Sequence, residues 1–387
     1  MDKTFTLSQR FKIIAGAMVL IGIIALALGF MTNAKEAWAN LLLNNYYFLS
    51  LSIGGAFFLS LQYITQSGWS AMFRRVPEAM SYYFPVAALF ALVMLLGMHH
   101  LYEWSRPEAV VSDPVIAHKA PYLNLPFFVI RMFVFFGLWI LMSNLLRKAS
   151  LKEDLEGGLN GFNKMEQLSK IFIFIIGLSF SFTTFDWIMS LDVHWFSNIF
   201  ALKGFVNAFY HGVAMLILIV ILLNKQGYFP ELNDSHLLDF SRYLFMLSII
   251  WGYFWFSQFM LIWYGNIPEE TAYYAHQWRG GFLTIFYVNI VVNWLIPFSV
   301  LLSRKMDRNI QVVKYVCILL LIGFWIDLYT MIFPGTAGPT LGFVEIGSFI
   351  GFAGLFALVV GYGLTKANII PRNHPYIEES LYHKVEQ

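Results

Sequence analysis

Between Ser179 and Ser197 the chain reads SFSFTTFDWIMSLDVHWFS, which sets two carboxylates, Asp186 and Asp192, and an imidazole, His194, at the end of an otherwise apolar run. Carboxylates and imidazoles are the groups that most often take and give protons in proteins. A charge in hydrocarbon costs about 2.5–3.5 kcal/mol or more unless it is paired, hydrated or neutralised, so such a residue marks a functional site by default. The same reasoning singles out Arg131, His211 and Asp327, each inside an apolar segment, and Glu345, which opens one. His99, His100 and Glu103 close another. Structural roles compete with chemical ones at each position. Arg131 can snorkel to the interface. His211 can bond a neighbouring helix. Asp186 can cap a helix end, and Glu345, Asp192 and His99 can sit at the aqueous boundary.

The elements that must position these groups are membrane helices. The chain has 387 residues, of which 58% are hydrophobic and 12% charged; a soluble domain carries about 25% charged residues. A spanning helix needs about 20 mostly apolar residues. Ten stretches qualify, over 12–31, 46–66, 83–101, 125–146, 169–189, 203–223, 241–263, 279–303, 311–332 and 343–364. The N-terminal run is long enough to span and reads as a retained first helix. Residues 102–124, with Pro107, Pro114 and Pro121, read as an extended external loop, and 147–168, charged and carrying Gly157, Gly158 and Gly161, as a hydrophilic linker.

Lys and Arg alternate loop by loop, which fixes orientation through their cytoplasmic excess. One side holds Lys3, Arg10, Lys12, Arg74, Arg75, Arg147, Lys148, Lys225, Arg242, Arg304, Lys305 and the tail; the other holds Lys35, Arg106, Lys119, Lys203 and Arg279. Both termini are therefore expected in the cytoplasm. Asp186, Arg131, His211, Asp327, His99 and Glu345 then share the outer half of the bilayer. His211 lies about 12 Å deep at 1.5 Å per residue. This convergence predicts an outer polar cavity in which Arg131 pairs with Asp186 or Asp327. The endings LLRK at Leu145–Lys148 and LLSRK at Leu301–Lys305, and the late carboxylates Asp186 and Asp327, suggest a duplication. The expected organisation is all-α and polytopic: a peripheral helix in 1–40, one four-helix bundle in 41–190 (helices 2–5), a second in 191–335 (helices 6–9), and a last helix and tail in 336–387.

Net charge is +2, giving no electrostatic case for nucleic acid. The single cysteine, Cys317, excludes an internal disulfide, a Cys-ligated iron–sulfur cluster and a CxxCH haem attachment. His211 has no evident partner at matched depth for a haem. The aromatic run from Trp251 to Gly265 reads as an interfacial belt or as an apolar slot for a flat quinone ring. Quinol oxidation releases two protons and so needs a nearby acceptor. A secondary transporter is the competing class, with Pro297 and the glycines Gly347, Gly351 and Gly354 as candidate helix breaks. A structural anchor is the third.

Three stretches carry a family resemblance: Trp38–Met80 (WANLLLNNYYFLSLSIGGAFFLSLQYITQSGWSAMFRRVPEAM), Phe182–Phe205 (FTTFDWIMSLDVHWFSNIFALKGF) and Tyr274–Phe282 (YAHQWRGGF). With similarity over nearly the whole chain, they resemble the ActF-type membrane subunit of bacterial alternative complex III, in the NrfD/PsrC-like family. The resemblance implies two four-helix bundles plus peripheral helices in a multi-pass protein of the bacterial inner membrane. It implies a respiratory complex that oxidises menaquinol or ubiquinol and passes electrons through iron–sulfur and c-type haem subunits to cytochrome c or a terminal oxidase. This subunit would hold no haem, cluster or other redox centre. A related larger subunit is regarded as the main quinol site, and this one would supply a proton pathway or a quinone pocket. The family's polar residues at the end of the fifth helix map onto Asp186, Asp192 and His194.

Overall fold

The packing converges on Ala34–Ile64, whose apolar window is 83% buried, whereas the helix before it is only 22% buried. In this computed structural model residues 4–278 and 281–385 are described, and Lys3 and Arg279 lie outside them. The chain is an all-α polytopic membrane protein. Among the described residues ten helices are long and apolar enough to span: α1 Gln9–Thr32, α2 Ala34–Ile64, α3 Ala71–Leu101, α4 Leu125–Glu156, α5 Leu159–Leu191, α6 Asn198–Lys225, α7 Asp234–Gly265, α8 Phe282–Leu301, α9 Ile310–Ile332 and α10 Phe343–Leu364. An isolated bridge between Thr4 and Asn368 brings the two ends of the chain to the same end of the molecule, as an even number of crossings requires.

Helices α2, α3, α4 and α5 pack in a ring, and α6, α7, α8 and α9 in a second. The rings meet where α2 crosses α6, at Gly54 and Gly212. A Cβ on Gly54 would lie 2.0 Å from the Ala208 carbonyl oxygen, so only glycine permits this approach. Small residues let helix backbones approach closely in lipid, where no hydrophobic force drives them together. The polar residues of α2 do the rest. Asn44 donates to Ser348 of α10, Asn45 to the Ala87 carbonyl of α3, and Tyr47 to the Leu321 carbonyl of α9; Tyr46 and Thr184 of α5 share a 2.7 Å bond. Each satisfies a group that hydrocarbon cannot.

Three expectations change. Residues 102–124 fold into the short helices Pro107–Ser112 and Pro114–Lys119, because proline suits the first helical turn. The hydrophilic linker shrinks to Gly157 and Gly158 (φ 66° and 72°), since α4 and α5 each run on past their apolar segments as polar helix. The glycines of α10 do not break it. They seat α1, with a Cβ on Gly351 falling 2.4 Å from the Gly22 Cα. The break is in α8, where Val291–Leu295 forms a π-helix just before Pro297. Proline has no N–H for the carbonyl four residues earlier. That carbonyl belongs to Asn293, and the Tyr210 hydroxyl donates to it instead at 3.2 Å.

At the end bearing Arg74, Arg75 and Arg147, these three buried cations meet Glu78, Glu153 and Asp154. The tail crosses the same end: Ser380 accepts from the Met72 amide and its carbonyl bonds His236. His374 packs beside Tyr63 and Phe162.

Candidate functional site

The candidate residues, towards the end of the bundle opposite the chain termini, separate by hydrogen bonding into several groups rather than one cavity. The first joins α4 to α5. Arg131 donates from Nε and Nη2 to both carboxylate oxygens of Asp186, at 2.7 and 3.0 Å, and from Nη1 to the Tyr122 carbonyl at 3.1 Å. Its guanidinium lies 4.0 Å from the Tyr122 ring and 4.3 Å from that of Phe127. Both charges are buried. A bidentate fork pair of this kind fixes geometry as well as charge. Of the two partners open to Arg131, the fold chooses Asp186.

The second cluster lies within the ring of α6–α9 around Asp327, which is fully buried. Its Oδ1 accepts from Asn289 at 2.7 Å and faces the Lys203 ammonium at 3.4 Å; its Oδ2 accepts from Asn207 at 2.7 Å. The Asn207 carbonyl oxygen of the side chain accepts from the Trp251 indole at 2.6 Å. Asn289 then accepts from the Asn293 amide at 2.6 Å, and that amide also donates to the Gly323 carbonyl at 2.9 Å. His211 closes the array. Its Nε2 is 3.0 Å from the Asn293 side-chain oxygen, its Nδ1 is 2.8 Å from the Asn207 main-chain carbonyl, and its ring lies flat on Phe324 at 4.4 Å. Gly323 is required, since a Cβ there would fall 2.3 Å from the Asn293 oxygen.

Lys203, Asn207, Asn289 and Asn293 join the array beside the charged residues that stand out in the sequence. A signal was present. Lys203, Asn207 and His211 recur every four residues, as do Asn289 and Asn293, and that spacing places them on one helix face. Lys203 is also not the loop charge flanking the membrane that its place in the Lys and Arg alternation predicts. It is 5% exposed and paired.

The remaining candidates divide between capping and the outer surface. Glu345 is buried, not at the aqueous boundary. Its Oε2 accepts from the Gly342 amide at 2.7 Å at the start of α10, and its Oε1 from Asn40 of α2 at 3.0 Å. That is a helix-start role with an interhelical tie. His194 is exposed and bonds Asp113 at 2.6 Å, a contact that holds the Asp113 carboxyl below its ordinary range. His99 is exposed, its ring on Ser105 at 3.0 Å. Asp192 is half-buried in the loop after α5.

Asp192 borders an open recess of about 280 Å³ at the end opposite the chain termini, lined by Tyr122, Phe185, Met189, Ser190, Trp195 and their neighbours. Tyr122 forms part of both the recess and the Arg131 site, and its buried hydroxyl faces the Asp186 carboxylate. Burial, with the Asp186 charge nearby, raises the Tyr122 phenol well above its ordinary value, so it is a proton donor. The aromatic run in α7 forms no slot. Tyr253, Phe256, Trp263 and Tyr264 face outward, and Trp251 turns inward to Asn207. Among the described residues no group of three or more His, Cys, Asp and Glu side chains is placed to hold a metal ion.

The first cluster can hold a charge in place. The second can move one. It contains an acid, an amine and an imidazole within one continuous hydrogen-bonded array. No protein-family model matches the chain, and no curated protein matches it either.

Proposed function

We propose that this chain is a membrane subunit of a respiratory quinol:acceptor oxidoreductase of the alternative complex III type, in the bacterial inner membrane, and that it supplies a proton pathway. The observation that carries the reading is the Asp327 array. Three proton-exchanging side chains, Asp327, Lys203 and His211, are buried in a helix ring and joined by three asparagines. A purely structural anchor has no use for so costly a site, since a buried ionisable group in a membrane marks a path or a relay. In this reading the family resemblance supplies the partners: the larger NrfD-like subunit, an iron–sulfur subunit, c-type haem subunits and a terminal oxidase, with menaquinol or ubiquinol as reductant. The termini and the Arg74–Glu153 end are cytoplasmic.

An affinity tag on the chain tests the assignment. The tagged protein is expected to purify with haem and iron–sulfur subunits and to carry quinol oxidation activity. A chain that purifies alone and moves a solute across vesicles would establish the transporter instead. In the intact complex Asp327→Asn is expected to abolish quinol-driven proton release. Unchanged turnover and release would leave only the anchor.

A second reading has its own observation. The outer recess is apolar at Phe185, Met189 and Phe196 and carries polar groups at His118, Lys119 and Asp192 on its wall. Those features suit a quinone head group, whose carbonyl needs one donor in an apolar slot. Photolabelling with an azido-quinone, lost on Met189→Trp, which fills the recess, is the expected result.

A further inference from the structure

The hydrogen bonds around His211 have fixed directions. Asp327 carries acceptor oxygens, so Asn289 must turn its amide nitrogen to the carboxylate and its oxygen to Asn293. Asn293 has two acceptors, the Asn289 oxygen and the Gly323 carbonyl, on its nitrogen side. Its own oxygen is therefore held towards His211 Nε2. The other ring nitrogen faces the Asn207 main-chain carbonyl, which can only accept. Both nitrogens of a fully buried imidazole thus face acceptors. A neutral imidazole has one N–H and leaves the other nitrogen's lone pair against an oxygen. Only the imidazolium satisfies both. The flat contact with Phe324 also favours a cationic ring.

Burial opposes that charge, and the array contains a second cation. Lys203 approaches the same carboxylate, at 3.4 Å. One carboxylate cannot neutralise two cations in a low-dielectric site. The other titratable groups near His211 are Tyr210 on its own helix, Tyr47 of α2 and Cys317 of α9. None is an anion at neutral pH, because phenols and thiols ordinarily titrate above it. The residues of α7 and α8 at the site, Trp251, Asn289 and Asn293, do not titrate.

We propose that Lys203 and His211 are alternate holders of a single proton, with Asp327 as their shared counter-ion. In the arrangement seen here the proton is on His211, and Lys203 is the neutral amine at a longer distance. When Lys203 gains a proton an N–H bond forms at Nζ. The counter-charge is then engaged there, and an N–H bond of His211 breaks with its proton passing to a water molecule, while Lys203 draws its own proton from hydronium, so that one proton is released for each one taken up. No electrons change hands. The role as a transfer step rests on the proton-pathway reading; the exclusion of two simultaneous cations does not.

The test is nitrogen NMR of the intact complex in lipid bilayers, with ¹⁵N-labelled histidine, at about pH 8, more than a unit above the ordinary histidine value of about 6.5. His211→Gln identifies the His211 resonances by difference. Lys203→Met is expected to fix His211 as a full imidazolium, with both nitrogens protonated. Asp327→Asn is expected to leave it a neutral tautomer. The same protonation state of His211 in the wild type and in both variants overturns the proposal. If Lys203→Met does not assemble, Asn293→Leu serves: it removes the Nε2 acceptor with Lys203 intact, and it is expected to abolish the imidazolium signal. An imidazolium that survives Asn293→Leu also overturns the proposal. Proton release by Asp327→Asn complexes separates this from the function. Normal release there sinks the pathway while the NMR still reads the shared proton.

Discussion

The chain buries two carboxylates late in helices that follow one another at an interval of four, Asp186 in α5 and Asp327 in α9, and treats them oppositely. Asp186 is clamped by two bonds from one guanidinium, which itself rests against the rings of Tyr122 and Phe127. Asp327 receives two neutral amides and a lysine at the edge of hydrogen-bond range. Arginine does not release its proton in proteins, whereas a buried lysine does so readily. The first pair is therefore permanent and the second exchangeable. The same residue type at a similar depth is held by a fixed cation in one ring and by a titratable one in the other, and the partner residue makes the difference.

This contrast can be broken in function. In the assembled complex Asp327→Asn is expected to lower proton-coupled quinol turnover by about 100-fold or more, the usual contribution of a positioned proton-transfer group. Asp186→Asn should change turnover by no more than a few fold. Equal losses in both variants would erase the distinction. It can be broken in stability as well. Arg131→Ala strands a buried carboxylate and should cost about 3–5 kcal/mol, read as a lowered unfolding midpoint in detergent. Arg131→Leu combined with Asp186→Leu should regain most of that loss. Lys203→Ala should cost only about 1–2 kcal/mol, because Asn207 and Asn289 still donate to Asp327.

The seam between the rings makes a smaller prediction. Gly54→Ala should destabilise by about 1–3 kcal/mol through overpacking against Ala208. Gly137→Ala, with nothing within 4 Å of the added methyl, should be nearly neutral. A neutral Gly54→Ala would mean that the rings are not tightly joined there.

The smallest effect is a pH dependence at the other end of the molecule. Burial, and then the nearby Arg74 and Arg75, hold the His374 imidazole far below its ordinary value. The unfolded tail therefore binds a proton that the docked tail refuses. Docking is fully stable above about pH 6.5 and weakens as pH falls below it. Limited proteolysis of the tail should speed up between about pH 7.5 and 5.5, and His374→Phe should flatten that dependence.

Much of the fold could be read in the order of residues. Ten apolar runs gave ten spanning helices, because lipid leaves a backbone no other open solution. Helix ends were less legible. The polar halves of α4 and α5 carry no hydrophobic signal, and they continue as helix because other parts of the chain pack on them. The site was half legible. Asp186, Arg131, His211 and Asp327 stood out as charges or imidazole in apolar sequence. Lys203 looked like a flanking charge, and the asparagines were hidden among residues whose polarity alone signals nothing. Only their four-residue spacing pointed to a shared face.

The sequence by itself determined that the chain lives in lipid, how many times it crosses, and that its buried charges are too expensive to be accidental. Those conclusions follow from transfer free energies, which depend on residue type alone. The tertiary structure decided which charge meets which. It gave Asp186 an arginine and Asp327 a lysine with three asparagines. It also turned the Asn293 amide towards His211 through a π-turn, a proline-freed carbonyl and the space left by Gly323. Pairing is set by approach and direction between helices, and no residue carries that information alone.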